Sequence, residues 1–130
     1  ALDSLAAELA ERTSAPGSPD WFAPWGALCR GMADYRTGKH QEAMHTLVAA
    51  QKGNAACKGA AWAYSAMASF QLGDVDTARK HLERSRAANE PILVPGQGAD
   101  LGSSWHDRMF ALLALKEAET LINSEDVNRP

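Results

Sequence analysis

Between Trp62 and Leu82 the chain reads WAYSAMASFQLGDVDTARKHL, with apolar or small residues returning every third or fourth position on both sides of Gly73. That period belongs to helices and not to strands. Trp62, Ala66, Ser69–Phe70 and Leu72 mark the inner stripe of a first helix, and Val75, Ala78 and Leu82 that of a second. Gly73 can take positive φ where the first helix ends. Asp74 is placed to N-cap the second, and Asp76 puts a carboxylate in its first turn, where the helix dipole favours it. A connection this short makes the helices pack antiparallel. The small Ala78 then lets the two axes approach closely.

The same pattern occurs about 35 residues upstream, in GALCRGMADYRTGKHQEAMHTLVAA from Gly26 to Ala50. Gly38 matches Gly73, Tyr35 matches Phe70, Ala43 matches Ala78, Leu47 matches Leu82 and Gly31 matches Ala66. This spacing resembles the tetratricopeptide repeat, a helix-turn-helix unit with a period of about 34 residues. The second copy carries the family's Trp (Trp62), the aromatic before the turn (Phe70), the turn glycine (Gly73) and the second-helix alanine (Ala78). The first copy departs at its start, where Trp25 is displaced and Ala27 stands at the Trp position. The resemblance implies an all-α fold: antiparallel helix pairs stacked as a short right-handed solenoid, with capping helices at both ends. A narrower likeness joins ALCRGMADYRTGKHQEA, WAYSAMASFQLGDVDTARKHL and WHDRMFALLALKEAETLI. In that order they are similar to the C-terminal repeat region of certain large bacterial proteins with a serine/threonine kinase or WD40 domain upstream. That likeness implies an appendage to an enzyme and not an enzyme.

The flanks complete a single domain over 1–130. Leu2, Leu5, Ala6 and Leu9 predict an N-terminal helix over 1–12. TSAPGSPD, Thr13 to Asp20, reads as a loop. Trp21 and Phe22 are expected against the N-terminal helix, and Pro24 is taken as the start of repeat one, 24–54. Gln51 to Cys57 reads as the inter-repeat turn, followed by repeat two over 58–89. Two prolines and three glycines make 90–103 a loop whose Ile92-Leu93-Val94 patch folds back on the helices. Ser104 opens a capping helix over 104–123, with Met109, Leu112, Leu115, Ala118 and Ile122 on one stripe and Phe110, Leu113 and Leu121 beside it. Repeat arrays need such a helix to cover their last apolar face.

Composition narrows the function. The chain has 130 residues, 45% of them hydrophobic, enough for one core. A net charge of −3 gives no general affinity for nucleic acid or anionic membrane, and no apolar run is long enough to span a bilayer. The first residue is Ala and not Met, which predicts a trimmed domain or processed product. Cys29 and Cys57 are too few and too far apart for a disulfide framework or zinc site, and fit a cytoplasmic chain. Cys29 reads as a small core thiol. His40 and His45 do not share a helix face as metal ligands would, and no cofactor or metal is expected. Gly96-Gln97-Gly98 follows no strand and carries no Lys, so it is not a phosphate loop. The Arg79-Lys80…Arg84…Arg86 cluster could grip an anion, but reads first as a solvated helix face with Glu83 interleaved. Nothing orients a nucleophile, so no enzyme is expected.

The repeat resemblance implies a binding surface instead, because the first helix of each pair lines the concave side in that family. This places Trp25, Leu28, Met32, Tyr35 and Arg36 beside Met67, Phe70 and Gln71 in one apolar groove suited to a peptide or amphipathic helix. The set lacks the polar clamp with which some members hold a C-terminal carboxylate; Leu28 and Met32 stand where clamp residues would be needed. Protein–protein interaction or scaffolding is the expected function, with a peptide, a protein or a second copy as partner. The alternatives are a dimerisation or spacer module without a peptide ligand, and a groove filled by the chain's own C-terminal segment.

Overall fold

The computed structural model describes residues 2–17, 19–20, 22–93 and 105–127. These form six helices: α1 (Leu2–Thr13), α2 (Phe22–Arg36), α3 (His40–Ala50), α4 (Ala55–Gln71), α5 (Val75–Leu93) and α6 (Trp105–Val127). Among the described residues there is no strand, so the chain is all-α.

Helix α4 is the centre. It contacts α2, α3, α5 and α6, and all its residues from Gly59 to Ser69 except Trp62 are buried. Burial on every side requires a helix without long polar chains. Its sequence AACKGAAWAYSAMASFQ meets that with alanine, glycine and serine, which let four neighbours approach closely. Ser85 Oγ donates to the Gly59 carbonyl at 2.7 Å, and a Cβ on Gly59 would fall 2.8 Å from Asn89 Nδ2.

The α2–α3 and α4–α5 turns are equivalent bond for bond. In the first, Thr37 N donates to Ala33 O, Gly38 N to Tyr35 O and Lys39 N to Asp34 O. In the second, Leu72 N donates to Ala68 O, Gly73 N to Phe70 O and Asp74 N to Ser69 O. Gly38 and Gly73 take φ of 83° and 86°, a region costly for any residue with a Cβ. Asp74 Oδ1 accepts from Thr77 N at 3.1 Å, the expected N-cap. Ala43 and Ala78 are fully buried, as expected of residues at helix crossings.

Several expectations need correction. Helix α2 starts at Phe22, ahead of Pro24; a proline in the first turn loses only an N–H that has no intrahelical partner anyway. Helix α4 starts at Ala55, because Asn54 Oδ1 caps it by accepting from Cys57 N at 3.0 Å. Cys57 is therefore helical and buried, not part of a turn. Helix α5 continues to Leu93, past the expected loop start at Glu90; Pro91 falls in the last turn, where it removes at most one backbone bond. Trp21, Val94 and residues 95–104 lie outside the described residues. Leu72 is 47% exposed at the α4 C-cap, not on an inner stripe.

The buried stripe of α6 is Ala111, Ala114, Leu115, Ala118 and Ile122, while Met109 and Leu113 face outward. Leu115, Ala118 and Ile122 lie on it as expected, whereas Ala111 and Ala114 are buried in place of Met109 and Leu112. The alanines are buried instead because they are what fits against the alanine-rich α4.

Candidate functional site

The eight residues expected in one groove divide into three environments. Leu28 and Met67 belong to the core, shielded from water. Trp25 and Phe70 are half-buried and pack against that core. Three of the other four border grooves. Met32 and Arg36, with Leu5, Ala6, Leu9, Cys29 and Ala33, line a groove of about 280 Å3 between α1 and α2. Tyr35 lines another, of about 490 Å3, between α2, α4 and α6; Leu113, Lys116, Glu117, Thr120, Leu121 and Ser124 form its α6 wall, and Met67 lies beneath its floor. Gln71 is exposed and hydrogen-bonds the Tyr35 side chain. Leu28, Met32, Tyr35 and Arg36 share one face of α2, at i, i+4, i+7 and i+8; what divides them is the helix beside each, α1 next to Met32 and Arg36, and α4 with α6 next to Tyr35.

A polar cluster separates the two grooves. Arg36 donates from Nη1 to Glu117 Oε1 at 2.6 Å and from Nη2 to Glu117 Oε2 at 2.8 Å, a bidentate pair tying α2 to α6. Its Nη2 also reaches Tyr64 OH at 3.1 Å, and the guanidinium lies 5.7 and 5.6 Å from the Tyr35 and Tyr64 ring centroids. The two tyrosine rings meet edge to face at 5.7 Å. The hydrogen bond to Glu117 holds Arg36 charged above its ordinary pKa. Burial raises both tyrosines, so neither ionises near neutrality. By residue type Glu117 and Glu119 are ordinary solvated acids of α6; in the structure Glu117 meets Arg36, and Glu119 accepts from Arg86 Nε at 2.8 Å. Identifying them required the register of α6 against α2 and α5, which residue spacing alone does not carry.

The basic face of α5 is engaged as well. Arg86 also bonds Glu83, and Arg84 stacks 4.6 Å from the Trp62 ring centroid. His81 sits half-buried against the same ring, 5.0 Å between centroids, with Ser69 Oγ 3.5 Å from Nδ1. Burial lowers the His81 pKa from its ordinary 6.5, the Ser65 backbone and Asp74 oppose the shift, and Arg84 adds to it. The unfolded chain therefore takes up this proton first as pH falls. Stability is expected to be complete above pH 6.5 and to decline as the pH drops below that value. Melting temperatures measured across that range should fall less steeply for His81→Phe than for the wild type.

Burial works against thiol chemistry at both cysteines. Burial pushes the Cys57 thiol up to about 12, helped by Cys29 and Asp107, and burial also raises Cys29, which is half-buried and not the core thiol expected. A protonated thiol is a poor nucleophile. Among the described residues no three His, Cys, Asp or Glu side chains converge as a metal site, and no helix is long and apolar enough to cross a membrane. No protein family, curated protein or solved structure matches this chain.

Proposed function

We propose that the chain is a tetratricopeptide-type interaction module. In this reading α2–α3 and α4–α5 are two repeats stacked as a short right-handed solenoid between α1 and α6. The equivalent turns at Gly38 and Gly73 support it. The module serves protein–protein recognition or scaffolding as an appendage of a larger cytoplasmic protein, and performs no catalysis itself. The observation that carries the binding role is the α2/α4/α6 groove, an apolar trough walled by Tyr35, Leu113 and Leu121 and rimmed by Lys116, Thr120 and Ser124. Such a trough suits a short helix or extended peptide with an apolar anchor, and Lys116 favours an acidic residue beside that anchor.

A displayed library of short peptides tests this. Selected peptides are expected to share an apolar anchor with a neighbouring acid. Thr120→Trp should weaken them at least tenfold, because the indole fills the trough from an exposed position without touching the core. Failure to select any such peptide, or binding unchanged by Thr120→Trp, would overturn the reading.

A further inference from the structure

Among the described residues no Cα atom of α2 comes within 8 Å of one in α6. The two helices are joined by side chains instead, through the hydrogen bonds of 2.6 and 2.8 Å from Arg36 to Glu117. Tyr64 of α4 supports this bridge, its hydroxyl accepting from Arg36 Nη2 at 3.1 Å. Glu117 lines the α2/α4/α6 groove, whereas Arg36 borders the α1–α2 groove on the other side. The bridge is therefore part of the wall of the larger groove, with its acid on the inner side and its base behind.

Three charges set the field inside that groove. Lys116 and Glu117 line it, and Arg36 meets Glu117 from behind. The Glu117 side chain is 39% exposed, so an unmatched carboxylate there would face a ligand as a second charge beside Lys116. Arg36 prevents this. Opposite charges in contact largely cancel at the distance of a ligand, because each acts with nearly equal strength and contrary sign. The guanidinium is also held in place independently of Glu117. It lies 5.7 and 5.6 Å from the Tyr35 and Tyr64 ring centroids, and Tyr64 is only 3% exposed. Its planar fork fits a carboxylate edge as a lysine could not. The charge left for a ligand to meet is that of Lys116.

On the peptide reading of the α2/α4/α6 groove, on which this inference rests, we propose that Arg36 is the positioning residue that sets the groove's charge preference. By neutralising Glu117 it leaves Lys116 to select an acidic residue in the ligand. Arg36 itself touches no ligand in this arrangement. Its removal uncovers an acid in the wall and takes away no contact.

Two leucine-anchored peptide pools test this, one with glutamate and the other with lysine beside the anchor. The wild type is expected to bind the glutamate pool about two- to fivefold more tightly, the range of an exposed ion pair. That ratio should shrink in high salt. Arg36→Met should bring it close to one, because Lys116 and Glu117 then offset each other. Arg36→Met combined with Glu117→Gln should restore the wild-type ratio, although the bridge is still missing. Glu117→Gln alone should raise the ratio above wild type, since the Arg36 charge is then unmatched. Glutamine keeps the shape of glutamate, so this last variant should fold and decides the matter even where loss of Arg36 unfolds the chain. A purely structural bridge would leave the double variant as impaired as Arg36→Met. A ratio that Glu117→Gln does not raise, or that a folded double variant does not restore, would overturn the inference while the peptide reading stands. Failure of both pools to bind the wild type would overturn the peptide reading, and this inference with it.

Discussion

Met67→Glu is expected to leave the chain unfolded at neutral pH. Met67 is fully shielded from water at the centre of α4, among Ala63, Tyr64 and Ala66. A carboxylate there loses its hydration and finds no cation, because Arg36 is already committed to Glu117. Burial of this kind raises a carboxyl pKa by about 3–5 units, so the group is held neutral at pH 7, about 2.7 units above its ordinary pKa, at a cost of about 4 kcal/mol. That approaches the whole stability of a typical domain, about 5–15 kcal/mol. Circular dichroism should show lost helix at neutral pH and partial recovery in mild acid, where the native state binds the extra proton. Met67→Leu, of similar volume, should cost less than about 1.5 kcal/mol. Met32→Glu should be far milder, since that side chain borders an open groove and can reach water. Equal effects from Met32→Glu and Met67→Glu would show that both line one surface, as the repeat likeness had implied.

Ala78→Leu is expected to destabilise the chain by about 1–3 kcal/mol through overpacking. Ala78 is fully buried where α5 crosses α4, and the facing surface is itself built of small residues with few alternative rotamers. The extra carbons can be accommodated only by moving a helix that three other helices also touch. Urea unfolding should show a lower midpoint with an unchanged slope, the signature of altered stability without altered compactness. Ala43→Leu probes the equivalent crossing of α2 and α3, and should be costly for the same reason. A near-wild-type midpoint for Ala78→Leu would mean that the alanine does not mark the crossing.

Local chemistry made much of the architecture legible. Gly38 and Gly73 mark turns because each needs φ near 85° and glycine reaches it freely. Asp74 caps because a short carboxylate can reach back to a free N–H. Alanines matched across the two copies are buried because close helix crossings admit nothing larger. These are short-range relations, and residue type with spacing specifies them.

The candidate site was less legible, because it depends on how helices distant in sequence rotate against one another. Met67 and Met32 look alike as apolar residues on first helices. One is sealed because α6 lies over α4, and the other stays open because α1 leaves a gap beside α2. Glu117 reads as a solvated acid until α6 brings it to Arg36. The alanines of α6 carry little weight in a hydrophobic pattern, yet they select its buried face by fitting α4. The sequence by itself determined the helices, their turns and the small residues at their crossings, since those follow from backbone preference and side-chain size. Only tertiary packing decided which apolar residues became core and which remained surface, because burial depends on the neighbour that arrives and not on the residue that waits.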